Sequence, residues 1–178
     1  VVLDSCDFAQ TYALTKACAA YDQISYLRLI RKGFTTVYAD GSEFEIGKGV
    51  TLKEGKDVTI IASGIMVDEA LKAEEALAGE GISAKVVDMF CWKPIDEELI
   101  LESAKETGCI VTAENHQVGC GLGSAVANVL VKNSPVPMEM VGIQNRFGQV
   151  GDQAFLMKEY NLTAEDIVAA AKKAIARK

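Results

Sequence analysis

From residue 58 onward, short apolar runs rich in β-branched residues alternate with longer stretches of helical periodicity. Four of these runs are predicted as strands: VTIIAS, SAKVVDMF, CIVTAE and VPMEMVGI. The intervening stretches repeat apolar residues at three- and four-residue intervals, which places them on one face of a helix. Strands that alternate with helices form a mostly parallel sheet with right-handed crossovers. The predicted fold class is therefore α/β, a mostly parallel open sheet with helices on both faces.

The start of the chain departs from this regular alternation. VVLD has the composition of a strand interior, DFAQTYALTKACAAYD is predicted as a helix, and ISYLRLI as a strand. This partial α/β unit is too short to bury a core of its own. The next stretch, RKGFTTVYADGSEFEIGKG, is polar and dotted with glycine. It is predicted as a linker, either plain or with a hairpin that runs into KGVTLKEG.

The bulk composition argues against two classes of partner. With a net charge of −7 and a pI near 4.8, the chain lacks the positive surface that nucleic acid requires. No apolar stretch has the length of a membrane helix. The five cysteines form no CxxC motif and are odd in number, so neither a disulfide framework nor a zinc site is predicted. Buried, reduced thiols in a cytoplasmic protein are expected instead.

Four loops are expected at the carboxyl edge of the sheet, where open parallel sheets bind their ligands. They comprise residues 63–66, 90–96, 114–121 and 144–151. The third loop opens the stretch ENHQVGCGLGSAV, which holds the only histidine, His116, and several glycines ahead of a predicted helix. Because helix N-termini bind phosphate groups, this loop is the first place to look for a ligand site.

The residues of this loop complete no known catalytic or nucleotide-binding pattern. His116 has no evident triad partners, and no HExxH spacing follows it. Gly119 and Gly121 begin a G-x-G-x-x-G motif that Ser124 breaks, and Gly123 falls between its positions. Glycines that let a loop turn or a helix pack closely explain the same letters. A non-catalytic module that binds a nucleotide or a partner through this loop is kept as an alternative.

The other loop residues also have open interpretations. Trp92 and Phe90 form either one wall of a ligand site or a contact with another domain or subunit. Arg146 and Asp152 flank glycines and are predicted to pair and hold their loop. The residues alone therefore indicate an α/β domain with a loop cluster and no catalytic constellation.

Beyond single residues, the chain contains three longer signatures. They are EFEIGKGVTLKEGKDVTIIASGIMVDEALKAEEALAGEGISAKVVDMFCWKPID, then VTAENHQVGCGLGSAV, then IQNRFGQVG followed by YNLTAEDIV. In this order and at these distances they resemble the C-terminal domain of the transketolase family. The preceding stretch, VVLDSCDFAQTYALTKACAAYDQISYLRLIRKG, resembles the last helix and strand of that family's pyrimidine-binding domain.

This resemblance predicts how the chain is divided. Residues 1–36 are assigned to the tail of a pyrimidine-binding domain, 37–47 to a linker and 48–178 to a transketolase C-terminal domain. Within the family, the chain is closest to transketolases that are split into N-terminal and C-terminal polypeptides. The 1-deoxyxylulose-5-phosphate synthases and the β subunits of 2-oxoacid dehydrogenases share this domain and stay open as alternatives.

The resemblance implies a parent enzyme that moves a two-carbon ketol unit between sugar phosphates with thiamine diphosphate and Mg²⁺. In that family the diphosphate and metal bind a GDG motif in the N-terminal part, and the activating glutamate lies early in the pyrimidine-binding domain. The nearest strings here, ADG at 39–41 and GDQ at 151–153, match neither motif. The segment is therefore expected to bind no cofactor and to be inactive alone. Its expected partner is an N-terminal transketolase half, in a homodimeric enzyme.

The resemblance also implies one substrate-binding residue. In the family, the strand that leaves the pyrimidine-binding domain ends with an arginine that holds the substrate phosphate. The matching place is YLRLIRKG, where Arg31 is the better match and Arg28 the weaker one. A planar guanidinium suits this role because it meets two phosphate oxygens at once. Relatives usually have glycine before this arginine, whereas this chain has Ile30.

Overall fold

The computed structural model describes residues 1–31 and 35–178; residues 32–34, near the end of the predicted pyrimidine-domain tail, lie outside the described residues. The strands are β1 Val2–Asp4, β2 Tyr26–Arg28, β3 Val50–Lys53, β4 Val58–Ala62, β5 Ala84–Asp88, β6 Cys91–Lys93, β7 Ile110–Gln117 and β8 Met138–Ile143. The helices are α1 Phe8–Ala20, α2 Met66–Gly79, α3 Glu97–Thr107, α4 Leu122–Asn133, α5 Gln153–Glu159 and α6 Ala164–Ile175. Among the residues described, none of these helices combines the length and the apolar composition that crossing a bilayer requires.

The larger of two sheets has five strands in the order β3-β5-β4-β7-β8. The strands predicted from the sequence, β4, β5, β7 and β8, are parallel to one another. β3 adds an antiparallel edge beside β5. The predicted α/β class with a mostly parallel open sheet is therefore confirmed.

Helices cover both faces of this sheet. α2 and α6 pack on one face, over an apolar layer that includes Ile60 and Val86. α3 and α4 cover the other face, over a layer that includes Ile61 and Val87. Because successive side chains of a strand point to opposite faces, each neighbouring pair supplies one residue to each layer. This burial on both sides explains why these strands are continuous apolar runs in the sequence.

The first part of the chain forms a second sheet, with three strands in the order β2-β1-β6. β1 and β2 are parallel and are connected by α1, as expected for a partial α/β unit. β6 pairs antiparallel with β1 and lies inside the predicted loop 90–96. β6 was not predicted, because such a short strand before a proline has no periodicity and depends on a partner near the start of the chain.

Two further predictions about the elements were incomplete or wrong. The hairpin into KGVTLKEG does not form, because β3 pairs with β5 and the described residues 35–49 contain no strand. α5 was not predicted. This seven-residue helix makes only about two turns and its apolar residues are consecutive, so it shows no helical periodicity in the sequence.

The carboxylate of Asp7 joins α1 to the linker. One of its oxygens caps the helix by accepting the backbone N–H of Gln10 at 2.8 Å. The other accepts the backbone N–H groups of Val37 and Tyr38 at 2.9 and 2.7 Å. Side-chain caps of this kind satisfy helical N–H groups that have no partner within the helix. The path of the linker after residue 36 is therefore fixed by the start of α1.

A second buried carboxylate, that of Asp88 at the end of β5, connects the same elements to the main sheet. It accepts hydrogen bonds from Gln10 Nε2 at 2.6 Å and from the Tyr38 hydroxyl at 2.8 Å. Complete burial is the main reason that its pKa rises from 3.8 to about 7, and the nearby Asp4 carboxylate adds to the rise. The two hydrogen bonds lower the pKa and only partly offset the effect of burial.

The raised pKa of Asp88 predicts a pH-dependent stability. Between about pH 4 and about pH 7 the folded chain keeps a proton that the unfolded chain releases. The stability that Asp88 contributes is therefore complete below about pH 4 and is lost as the pH rises through about 7. Asp88→Asn abolishes the titration, so its free energy of unfolding, measured with urea across this range, is expected to fall less with pH than that of the wild type.

The exposed Asp40 provides a control for this measurement. Asp40→Asn is expected to leave the pH dependence of the wild-type chain unchanged. Parallel curves for the wild type and Asp88→Asn would contradict the assignment of the titration to Asp88.

Candidate functional site

The carboxylate of Glu114 lies at the first turn of α4, where the sequence suggested a phosphate site. Its two oxygens accept the backbone N–H groups of Leu122 at 2.8 Å and Gly123 at 2.7 Å. A helix leaves these groups unpaired at its N-terminus, and in phosphate sites they bind the anion. Glu114 is fully buried in β7. The chain thus fills the anion position of α4 with its own side chain.

Two glycines of the loop allow this close approach. A Cβ at Gly121 would lie 1.9 Å from Glu114 Oε2, and a Cβ at Gly123 would lie 3.1 Å from Oε1. Gly119 has no atom within 4 Å of the corresponding position. The Glu114 carboxylate therefore explains the glycine at 121. At 123 a Cβ would also lie 3.0 Å from the Met140 sulfur and from the Thr112 hydroxyl, in keeping with the close packing that was expected of this glycine.

His116 and Trp92 lie next to Glu114. His116 Nδ1 is 3.8 Å from Glu114 Oε2 and 2.9 Å from the carbonyl oxygen of Gln117. The imidazole meets the Trp92 ring edge to face, with the ring centres 5.6 Å apart. Burial raises the pKa of the Glu114 carboxyl, whereas the two backbone hydrogen bonds lower it. In this arrangement the histidine contacts a carboxylate that is already bonded to a helix.

Phe90, which was expected to form a ligand wall or an intersubunit contact together with Trp92, is buried in the core. It is buried against Leu3 and Leu14 of the first unit. Its ring also meets that of Phe44 edge to face, at a distance of 5.5 Å. Phe90 therefore holds the first unit and the linker against the main sheet.

Arg28 is used in contacts within the chain. Its guanidinium pairs with the buried Asp4 carboxylate at 3.3 Å. It also donates to the side-chain and backbone oxygens of Asn115, at 2.6 and 2.8 Å. Asp4 is the last residue of β1 in the smaller sheet, and Asn115 lies in β7 of the larger sheet, just before His116. Arg28 therefore connects the two sheets. A guanidinium with these partners is poorly placed to hold a substrate anion.

Arg31 lies in a different environment. Its side chain is exposed and lines a cavity of about 440 Å³. Asn115, Gln149 and Gln153 contribute polar groups to the wall, and Arg31 is the only charged residue among its described lining. Three of the four loops expected at the carboxyl edge line this cavity: 63–66, 114–121 and 144–151. The loop at 90–96 contains β6 and does not reach it.

The predicted pairing of Arg146 with Asp152 is wrong. Arg146 pairs with the Glu159 carboxylate at the end of α5. Asp152 caps the same helix, because its side chain accepts the backbone N–H of Phe155 at 2.8 Å. Both residues therefore interact with α5, a helix that was not predicted from the sequence.

The cysteines are only partly as expected. All five lie in the described residues without a disulfide, and Cys6, Cys91 and Cys109 are buried. Cys18 is half-buried and Cys120, between Gly119 and Gly121 in the glycine loop (residues 114–121), is exposed. The expectation of buried thiols therefore fails for Cys120.

The two strings nearest to the family's metal-binding motif do not fit thiamine diphosphate and its metal. The aspartate of GDQ, Asp152, is a helix cap, and Gly41 of ADG lies in a turn with a positive φ. Within residues 1–31 and 35–178, no three side chains of the metal-ligating types come together. The first turn of α4, the other place for a diphosphate, holds Glu114.

Comparison with known proteins assigns most of the chain to one family model. Residues 47–167 match the model described as Transketolase, C-terminal domain. The chain is 46% identical over 177 residues to the 6-deoxy-6-sulfo-D-fructose transketolase subunit SqwH of Clostridium sp. (strain MSTE9), covering 99% of this chain and 55% of that protein. It is 41% identical over 128 residues to the 1-deoxy-D-xylulose-5-phosphate synthase of Heliobacterium modesticaldum, covering 71% of this chain and 20% of that protein.

One solved structure is similar over almost the whole chain. It is described as a split gene transketolase, inactive beta4 tetramer, with a TM-score of 0.96 and 50% sequence identity. The similarity covers 99% of this chain and 58% of that one. The chain spans about half the length of the curated relatives that it matches over more than 90% of its residues.

The contact of Glu114 with α4 predicts a difference between two glycines of one loop. Gly121→Ala introduces a Cβ that displaces the carboxylate, so we expect a loss of about 1–3 kcal/mol in the free energy of unfolding. Gly119→Ala meets open space and is expected to change it by less than about 0.5 kcal/mol. Urea unfolding of both variants at neutral pH measures the difference.

Gly121→Ser separates the steric effect from helix capping. Gly121 is the N-cap of α4, where serine is a favoured residue and alanine is not. If the Cβ is the cause, the serine variant loses stability as well. A serine variant as stable as the wild type would show that Glu114 tolerates a side chain at 121.

Proposed function

The chain belongs to the transketolase family, and we propose that it is the C-terminal part of a split transketolase that transfers a two-carbon ketol unit between sugar phosphates. The observation that carries this proposal is the similarity to a transketolase subunit over 99% of the chain. The similarity to a 1-deoxyxylulose-5-phosphate synthase covers only 71% of it. Transketolase is therefore preferred to the synthase and to a separate binding module.

We further propose the division of the chain into residues 1–36, 37–47 and 48–178, as a pyrimidine-domain tail, a linker and a C-terminal domain. The family match beginning at residue 47 supports the second boundary. Exposed apolar side chains support the first part as one face of a larger domain, since apolar surface of this extent is usually covered. They are Phe8, Tyr12, Ile24, Tyr26 and Leu29.

In this enzyme Arg31 is proposed to hold the phosphate of the substrate. The side chain is exposed at a cavity in which it is the only charged residue among the described lining. The side-chain amides of Asn115, Gln149 and Gln153 also line the cavity. Asn115 Oδ1 already accepts from Arg28 and Gln149 Nε2 already donates to Glu159, which leaves the other polar atom of each of these two amides for the hydroxyl groups of a sugar. Arg28 is the weaker candidate because Asp4 and Asn115 already occupy its guanidinium. A sulfonate, as in the sugar named for the Clostridium relative, presents similar oxygens to the same planar fork.

The cofactors and the partner follow from the same proposal. Thiamine diphosphate and Mg²⁺ supply the carbanion chemistry and are proposed to bind the N-terminal half. The active enzyme is proposed to be a cytoplasmic dimer of such paired halves. The related β chains that form a tetramer described as inactive support the expectation that C-terminal chains do not catalyse alone.

Reconstitution tests the proposed function. The intact natural polypeptide, mixed with its N-terminal half, thiamine diphosphate and Mg²⁺, is expected to transfer ketol units between pentose phosphates, and each half alone is expected to be inactive. In the active mixture, Arg31→Ala is expected to raise KM for phosphorylated substrates by about tenfold or more, because it removes a charge-assisted pair of hydrogen bonds. Steady-state kinetics with phosphorylated and unphosphorylated sugars gives both values.

Arg177→Ala is a matched control, because Arg177 lies near the end of the chain and pairs with Glu139. Its KM values are expected to equal those of the wild type. A silent wild-type mixture would count against the transketolase proposal as a whole. An equal effect of Arg31→Ala on both substrate classes would remove only the phosphate role of Arg31.

A further inference from the structure

The loop of residues 144–151, which carries the RFG signature at 146–148, exposes apolar side chains. Val150 and Phe147 are 102% and 98% exposed, which are the highest values among the large apolar residues that the structure describes. Phe155, at the start of α5, is 47% exposed. We call these three side chains the apolar loop patch. None of them belongs to the first unit, although Ile30 and Arg31 of that unit line the same cavity as the loop.

The loop is held in place although its apolar side chains face solvent. The Tyr160 hydroxyl donates to the carbonyl oxygen of Phe147 at 2.7 Å. Gln149 Nε2 donates to the Glu159 carboxylate at 2.9 Å, beside the ion pair of that carboxylate with Arg146. At the other end, Gln117 Nε2 donates to the Arg146 carbonyl oxygen at 2.9 Å. These contacts keep the loop backbone in a defined conformation with its apolar side chains outward.

Packing of Phe155 completes this conformation. A Cβ at Gly151 would lie 2.4 Å from the Phe155 ring, so the ring covers the backbone of the loop directly. Preorganised apolar groups on a rigid support lose little conformational entropy when a partner covers them. The charges of Arg146 and Glu159, which hold the loop, neutralise each other, and the three side chains of the patch carry no charge. The patch therefore suits an apolar, uncharged partner surface.

The loop also forms the rim of the Arg31 cavity. Gly148, Gln149 and Gly151 line that cavity and alternate with the residues of the patch. If Arg31 holds one end of the substrate, the polypeptide that would carry thiamine diphosphate has to reach this cavity. The polypeptide that carries the cofactor then comes to rest beside the loop. A second copy of this chain would bring no cofactor to the cavity.

From these observations, we infer that the apolar loop patch is the surface on which the N-terminal, thiamine-diphosphate-binding half docks. This inference rests on the proposed function, because it uses the proposed position of the substrate at Arg31. It adds a role for the RFG signature, which the proposed function leaves without one. Burial of the patch supplies apolar contact area and closes the Arg31 cavity in the same step.

The double variant Phe147→Ser, Val150→Ser tests the surface in the intact natural polypeptide. Titration calorimetry with the N-terminal half is expected to show at least a tenfold increase in Kd, as for central apolar residues of an interface. Because both side chains are fully exposed, thermal unfolding of the variant alone is expected to match that of the wild type. Phe147→Leu keeps an apolar group and is expected to retain most of the affinity.

Val131→Ser is the matched control, since Val131 is a 69% exposed valine on α4, away from the cavity lining. It is expected to bind the N-terminal half as tightly as the wild type. A double variant that binds with unchanged Kd would overturn the inference while leaving reconstituted activity, and hence the proposed function, intact. The inference is also overturned if the double variant loses only self-association, measured by light scattering. If the wild-type halves do not associate at all, the proposed function fails together with the inference.

Discussion

The contact between Glu114 and α4 determines what the carboxyl edge of the main sheet can do. A parallel sheet collects the N-termini of its helices at this edge, and these termini attract anions. Here the chain supplies the anion itself, through hydrogen bonds of 2.8 and 2.7 Å to two backbone N–H groups. Gly121 and Gly123 allow the carboxylate to come this close. A loop that resembles a phosphate-binding turn is therefore an internal connection between β7 and α4.

With this position filled, the remaining polar residues of the edge divide into internal and accessible groups. Arg28, Asp4 and Asn115 join the two sheets, and Asp88 joins the linker to the main one. Arg31 remains exposed at a cavity that is bordered by the RFG loop. Glu114 fixes one part of this edge, and the Arg31 guanidinium is accessible at another. Such an arrangement suits a domain that positions the substrate while another polypeptide supplies the cofactor. This arrangement fits the proposed division of labour between two transketolase halves, which rests on the similarity to a transketolase subunit.

The fold could be predicted from the sequence where burial alone determines the pattern. The runs of β4, β5, β7 and β8 are apolar because both faces of the sheet are covered, whatever their partners are. β6 and α5 were missed because each depends on a distant contact and has no periodicity of its own. The role of Glu114 left one signal, an acidic residue at the end of a buried strand just ahead of a glycine-rich helix start. Proximity in sequence suggested that Arg146 pairs with Asp152, whereas the unrecognised α5 offered each a better partner.

The most direct test of this account observes the first turn of α4. In the isotope-labelled chain, the amide resonances of Leu122 and Gly123 can be followed by NMR while inorganic diphosphate is added as a mimic of the cofactor's tail. We expect both resonances to stay in place, because Glu114 already occupies their N–H groups. Saturable shifts of both resonances would show that a ligand displaces the carboxylate, and the account of the glycine loop as an internal connection would be wrong.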